Sequence, residues 1–542
     1  MMSKLLLILH TIIHLRPIQI RYQLWYRVRK MWRKISGFKY PISIRKEGYP
    51  LQFTSWIDKN KSLNENKFTF LNLSKSFEVS KIHWNEPQHG KLWTYNLNYM
   101  DYLLQADMDK ETGMALIGYY IQNLNQYSEG LEPYPIALRS INWIKFISRH
   151  RHCEERPKGV TRQPYALNSI ASSLFAQYQI LLDNLEYHLL GNHLLEDGFS
   201  LLFGAFYFKD NTLYKKAKEI ITVELEEQIL GDGAHFELSP MYHQIILDRL
   251  LDCINLVQNN QRFVDQDKHL QFMRAKAKNM LRWLNNITFS NGESPLLNDS
   301  APGIASTPKQ LNAYATSLNF ELETLNAELG SSGYRRFNGT NYECILDIGH
   351  IGPSYQPGHA HADTFAFVLN INNKPIFVDS GISTYEANKI RLSERGTAAH
   401  NTVTVSGANS SKIWSSFRVA QRAYVEVIND TENVITAKHN GYKKNETLHQ
   451  REWNFDSKVL SISDSLIGKN RVGLAHFHFA SGVNPFIENN RIHIEDTQIH
   501  FSQKNNIKLI KTSIPNGYNQ HQENYKIEVL FNEQLTTTIK IC

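Results

Sequence analysis

The feature that most constrains this chain is a change in hydrophobic period. From about residue 95 to residue 320 apolar side chains return every three or four positions, as in Leu213, Ala217, Ile220 and Ile221, or Ile246, Leu247, Leu250, Leu251 and Ile254. That spacing lines one face of a helix. After about residue 335 the period becomes two: IFVDSG, NTVTVSG, AYVEVIND, KVLSISDSL, RIHIED, IKLIKTSI and KIEVLF follow one another with Asn, Gly and Asp between them. This is the pattern of an antiparallel β-sandwich. Because the two periods serve different elements, they predict segregated halves: an α-helical domain over 91–325 and an antiparallel β domain over 326–542. The 542 residues suffice for two cores. Residues 1–90 are mixed and basic, and no repeat of fixed period occurs.

Composition narrows the partners. A formal charge of +7 with 11% aromatic residues suits a polyanionic or sugar-like partner. No nucleic-acid reading motif is present, so nucleic acid is not an expected partner. Cys153, Cys253, Cys344 and Cys542 are too scattered for a C-x-x-C metal knuckle, and no disulfide pairing can be read from them. The N-terminus has a short apolar run after Lys4, the outline of a signal peptide. However, His10 and His14 interrupt it, and Arg16-Pro17 stands where a small-residue cleavage site belongs. The run is shorter than the ~20 apolar residues that span a bilayer. Residues 18–34 set Ile18, Ile20, Leu24, Trp25, Val28, Met31 and Trp32 among Arg and Lys side chains. Such a helix either makes peripheral contact with a membrane or packs on the flank of the helical domain.

Four stretches carry candidate chemistry. GNHLLEDGFSLLFGAFYF presents Asn192, His193 and Glu196, the last two sharing a helix face. In ELSPMYH, Ser239 is the expected N-cap and Pro240 the first helical residue, which places Tyr242 in the first turn. The helix dipole there favours a phenolate, but by only ~0.3–1 kcal/mol, against the ~4 kcal/mol needed to bring a phenol from a pKa of about 10 to neutrality. Other groups must help. GHAHADTFAF, read as a strand, would put His359, His361 and Asp363 on one face. The alternation in AHFHFAS, with His476 and His478, reads as an ordinary polar strand face. Asp379 closes an apolar strand, and His400 stands immediately before another. Two His and a carboxylate form a common Zn²⁺ ligand set.

Taken in order, NHLLEDG, ELSPMYH, GHAHADTFAF with FVDSG, and RGTAAHNTV resemble the heparinase II/III family of polysaccharide lyases, as do EPYPIALRSINWI and WTYNLNYMDYL. The resemblance covers roughly residues 90–420. It implies an incomplete (α/α) toroid joined to an antiparallel β-sandwich, with the site in the cleft between them. It also implies β-elimination on an acidic polysaccharide that contains uronic acid, glycosaminoglycan-like or a bacterial capsule or exopolysaccharide. Asn192 and His193 would neutralise the uronate carboxylate, Tyr242 would be the catalytic tyrosine and His359 its partner. His361, Asp379 and His400 would hold a divalent metal, usually zinc. Asp363 would only support its strand. Candidate substrate contacts are Glu196, Arg139, Tyr134, Asn142, Trp143 and Arg395; Arg139 reads equally as a helix–helix salt bridge. The implied location is the bacterial envelope, in the periplasm.

Other readings stay open on the residues themselves. HAHAD resembles the start of an H-x-H-x-D-H metallo-hydrolase motif, but Thr364 stands in the last position. Asp197, Asp232, Glu237 and Asp299 could serve a glycoside hydrolase, which needs paired carboxylates, yet nothing in the sequence singles them out. A polysaccharide-binding or assembly protein without turnover would keep the same cleft. Oligomeric state is not encoded in any of these features.

Overall fold

The computed structural model describes residues 2–126, 128–151, 167–321, 329–489, 491–495, 497–503 and 506–541. Cys153, Cys542 and the expected 325/326 boundary lie outside the described residues. Cys253 and Cys344 are free and buried.

The helical half contains α1 (Met2–Ile12), α2 (Pro17–Ser36), α3 (Lys91–Tyr99), α4 (Lys110–Gln122), α5 (Pro133–Arg151), α6 (Leu167–Asp183), α7 (Gly191–Phe208), α8 (Asn211–Gln228), α9 (Pro240–Asn259), α10 (Gln266–Ile287) and α11 (Pro308–Ser317). Helices α3, α5, α7, α9 and α11 pack on one another in succession, while α6, α8 and α10 lie against them from the other side. This alternation of inner and outer helices builds an incomplete α/α toroid. Helix α7 is sealed along almost its whole length, His193 excepted, so LLFGAFYF reads as an apolar block, not as one stripe. The N-terminal region is not a separate unit: Leu51, Leu63, Phe68, Phe70 and Trp84 belong to the same core as the toroid helices.

The β half begins with a four-stranded antiparallel sheet of Tyr334–Asn338, Tyr342–Asp347, Phe367–Ile371 and Lys374–Phe377. The short helix α12 (Lys389–Glu394) follows. A second four-stranded sheet, ordered Ile507–Pro515, His521–Asn532, Val472–His478 and Val403–Val405, joins the first through Phe377 and Phe479. Both pack against an eight-stranded sheet that includes Thr447–Phe455 and Val459–Gly468. All seven segments with period two contribute strands.

Two strands depart from alternation for a physical reason. Tyr342–Asp347 and Phe367–Ile371 are buried at every position. Cys344, Leu346, Phe367 and Leu369 face the sandwich core, whereas Ile345 and Val368 join the core of the helices. A sheet covered on both faces needs no polar side. The same covering corrects the reading of AHFHFAS: His476 and His478 are on a strand, but they are buried. His476 pairs through Nε2 with Thr404 Oγ1 at 3.0 Å, and His478 Nε2 meets the Ala398 carbonyl at 2.9 Å.

Candidate functional site

The site forms where α7, the turn before α9, the loop at 296–300 and the segment 357–366 meet. Ser239 caps α9 as expected, its hydroxyl accepting from the Tyr242 N–H, with Pro240 at the first helical position. That hydroxyl also donates to the Asp299 carbonyl at 2.8 Å, so the capping residue is tied to the loop that carries Asp299. Gly191 opens α7 with φ +61°, and a Cβ there would lie 3.2 Å from Glu237 Oε1. Glycine therefore lets the helix start beside a carboxylate.

GHAHADTFAF is not a strand. Its backbone turns, Phe365 has φ 69°, and the strand begins only at Phe367. His359 and His361 nevertheless converge, because both bind one carboxylate. Asp299 accepts from His359 Nδ1 at 2.9 Å and from His361 Nε2 at 2.8 Å. The Arg391 guanidinium, presented by α12, clasps both of its oxygens, with Nη2 at 2.6 Å from Oδ2. Burial alone would raise the Asp299 pKa; Arg391 and the two imidazoles reverse this and hold the carboxyl well below the usual range. With Asp299 ionised, the hydrogen-bond network assigns the proton of His359 to Nδ1 and leaves an acceptor at Nε2.

The Tyr242 ring stacks on His359 with centroids 3.8 Å apart, and its hydroxyl meets that of Tyr385 at 3.0 Å. Burial, with the neighbouring phenols of Tyr518 and Tyr134, pushes the Tyr242 pKa well above 10. The phenolate reading is thereby corrected: desolvation outweighs the helix terminus, and the phenol keeps its proton. Glu237 links the two sides of the site, accepting from Asn192 Nδ2 at 3.0 Å and lying 3.9 Å from His359 Nε2. Its own pKa is raised by burial. His193 bonds Glu186 through Nδ1 at 3.0 Å and stands 4.6 Å, ring to ring, from Tyr134. Burial disfavours its charged form, but the Glu186 carboxylate, helped by Glu237 and Glu196, raises its pKa overall.

Several candidate substrate contacts are sealed off. Arg139 is 0% exposed and donates to Gln177 Oε1 and to the Asn98 and Gly130 carbonyls. It is neither a sugar ligand nor a salt bridge; it ties α5 to α6 and to two main-chain segments. Asn142 bonds the Tyr99 carbonyl, and Trp143 is core. Glu196 is buried with Arg249 Nε 3.3 Å away. Arg395 bonds the Ala360 and Ser416 carbonyls and so braces the His359 segment from behind. Their residue types suit sugar, but their helical and loop positions turn them inward. Of that set only Tyr134 borders the site.

Among the described residues no three His, Cys, Asp or Glu side chains are arranged to hold an ion as they stand. The donor chemistry fits a divalent cation all the same. His361 and His400 face each other at 5.2 Å between ring centroids. Each gives one ring nitrogen to a carboxylate, His400 Nδ1 pairing with Asp379 Oδ2 at 2.6 Å. The remaining nitrogens, His361 Nδ1 and His400 Nε2, are buried without a partner among the described residues, as is Asp363 Oδ2. Imidazoles oriented by carboxylates, with a free lone pair each, are what a metal centre requires. Asp363 itself lies before the strand, which begins at Phe367.

The sequence reading passed over Arg391, Tyr385 and Glu186, and weighed Asp299 and Glu237 only as hydrolase carboxylates. A lone Asp in LLNDSAPG has no periodic signal; the Asn-Asp pair at a turn was its one mark. Replacing Arg391 with Met should leave the Asp299 charge undercompensated and destabilise the fold by about 3–5 kcal/mol, measured by denaturant unfolding; an unchanged midpoint would show that this pair is not the fastening. Replacing Glu186 with Gln removes the largest of the charges that oppose burial, so His193 should release its proton at lower pH than in the parent chain, as read by NMR titration of the imidazole.

Comparison with known proteins agrees with this architecture. The family model "Heparinase II/III N-terminus" matches residues 163–320, and "Heparinase II/III-like, C-terminal" matches 323–540. A heparin-sulfate lyase of Pedobacter heparinus is 23% identical over 449 residues, covering 76% of this chain and 65% of the relative. A heparin-sulfate lyase of Bacteroides stercoris is 25% identical over 321 residues, covering 54% and 46%. The chain therefore spans less than two thirds of the length of these curated relatives. A crystal structure of heparinase III shares the fold with TM-score 0.63 at 17% identity, over 86% of this chain and 80% of that one. Two family models that together account for most of the chain, on a toroid and sandwich of the same architecture, place it in the heparinase II/III family.

Proposed function

We propose that this chain is a polysaccharide lyase that cleaves an acidic, uronic-acid-containing polysaccharide by β-elimination. The observation that carries the reading is the stacked pair Tyr242–His359, facing Asn192 across Glu237. Elimination must lower the acidity barrier at C5, remove that proton and protonate the departing O4. Asn192 offers an amide N–H, and His193, whose proton Glu186 stabilises, offers positive charge; both suit a uronate carboxylate whose charge grows as the C5 proton leaves. His359 has its Nδ1 proton fixed by Asp299, so Nε2 is the acceptor for the C5 proton. Tyr242, kept neutral by burial, is suited to donate to O4, with the Tyr385 hydroxyl beside it to pass the proton on. The similarity to heparin-sulfate lyases supports the substrate class at the level of a uronate polymer.

A divalent cation held by His361, His400 and the carboxylates of Asp363 or Asp379 would supply positive charge to a buried nest that also includes Asp347. Asp347 is pushed upward by burial and by the Asp363 carboxylate, and Asp363 is pushed to about 6 by burial and by Asp379, against the pull of His400. Such a nest favours either protonation or a bound cation.

The reaction is tested by ultraviolet absorbance during incubation with heparan sulfate, heparin, hyaluronan, chondroitin, alginate and bacterial capsules. Growth of the conjugated 4,5-double bond is expected on one of them, and new reducing ends without it would mean hydrolysis. Tyr242→Phe should lower kcat by at least ~100-fold while the polymer still binds; full activity would remove Tyr242 from its role. Metal analysis of purified protein should find a divalent ion that His361→Ala loses, and equal content in both would refute that ligand.

A further inference from the structure

Helix α2 is amphipathic in reverse. The side that meets the protein is polar and aromatic: Gln19 Nε2 donates to the Leu189 carbonyl at 3.1 Å, Tyr22 stacks on Tyr187 at 4.8 Å, and Arg29 and Arg33 pair with Asp183. The opposite side presents Leu24, Trp25, Val28, Met31, Trp32 and Ile35, each more than half exposed. At 3.6 residues per turn these form one continuous strip along the helix. Helix α1 adds Leu5 and Leu6, and Ile13 follows it, all more than half exposed. Between Leu5 and Ile42, under a tenth of the chain, lie more than half of the large exposed apolar side chains among the described residues. Scattered exposure needs no explanation, but a strip of this kind marks a contact surface.

Charge selects the occupant. The first 46 residues hold 11 Lys and Arg and no Asp or Glu, more than the +7 of the whole chain, so the remainder is net acidic. Arg21, Arg27, Lys30 and Lys34 of α2 are exposed, and none has an ion-pair partner among the described residues. A second copy facing this strip would bring like charge against like charge. An anionic bilayer offers what the surface lacks: hydrocarbon for the apolar strip, an interface for Trp25 and Trp32, and negative headgroups for the basic side chains. No helix among the described residues is long and apolar enough to cross a membrane, so the contact is peripheral.

We propose that the N-terminal segment α1–α2 docks this protein on an anionic phospholipid bilayer through the outward strip of α2. The turn between the two helices is fastened next to the site. Arg16 pairs with Glu227 of α8, and its guanidinium lies 3.9 Å over the ring of Tyr355, four residues before His359. Docking would therefore hold the site at the lipid surface. The inference stands on this segment alone and does not rest on the reaction proposed above.

The test is co-sedimentation of the full chain with vesicles of phosphatidylcholine alone or mixed equally with phosphatidylglycerol. Binding to the anionic vesicles should be at least ~10-fold tighter and should weaken with salt, and the double variant Trp25→Ser, Trp32→Ser should lose ~10-fold or more with an unchanged thermal midpoint. Failure to bind either vesicle, or binding that the double variant leaves intact, overturns the proposal. So does a concentration-dependent dimer that the double variant dissolves without any vesicle binding, which would assign the strip to a second copy.

Discussion

The site depends on one buried negative charge. Asp299 lies in a loop of the helical half, and its four charge-assisted contacts all come from three residues of the β half: His359, His361 and Arg391, the last through both terminal nitrogens. A buried carboxylate without compensation costs several kcal/mol, so the halves cannot separate at this point without exposing or protonating it. The same contact fixes chemistry. It decides which nitrogen of His359 carries the proton and which nitrogen of His361 is left free, and it does so for two imidazoles that serve different neighbours. The fastening of the two halves and the orientation of the two imidazoles are thus one interaction.

Around this charge the backbone adopts conformations that L residues avoid. Leu190 enters α7 with φ 61°, Leu238 precedes the cap of α9 with φ 57°, Asn298 precedes Asp299 with φ 54°, and Phe365 follows the His359 segment with φ 69°. Each costs of order 1–3 kcal/mol and persists only where surrounding bonds overdetermine it. Those bonds are present: Asn298 donates to the Leu238 carbonyl at 3.1 Å and accepts from the His361 N–H at 2.9 Å, and Tyr334 donates to the same Leu238 carbonyl at 2.6 Å. The four segments bearing functional side chains are therefore interlocked main chain to side chain, which lets loops hold catalytic groups as firmly as regular elements do.

This explains which parts were legible in the sequence. Periodicity reports burial against one partner layer, so the helices and most strands could be read, together with the Ser239-Pro240 helix start. It is silent where a segment is covered on both sides, as at Tyr342–Asp347, or where no element exists, as at 357–366. His359 and His361 were found by their spacing although the strand that justified it is absent; their meeting depends on Asp299, some 60 positions earlier. Arg139, Asn142 and Trp143 failed as ligands for the complementary reason. Their residue types suit carbohydrate, but residue type does not say which way a helix turns, and α5 turns them into the core.

Tyr242 shows how magnitude decides a role that position leaves open. The first turn of α9 offers a phenolate at most about 1 kcal/mol. Against it stand desolvation and the crowding of two further phenols, Tyr518 and Tyr134, which the hydrogen bond from Tyr385 does not offset. The nearest cationic candidate, His359, stacks on the Tyr242 ring, and its Nδ1 is engaged by Asp299. Burial therefore wins, and the residue whose position suggested a phenolate is held as a neutral phenol. The neighbouring imidazole of His359 differs in one respect: an ionised carboxylate stands on its far side.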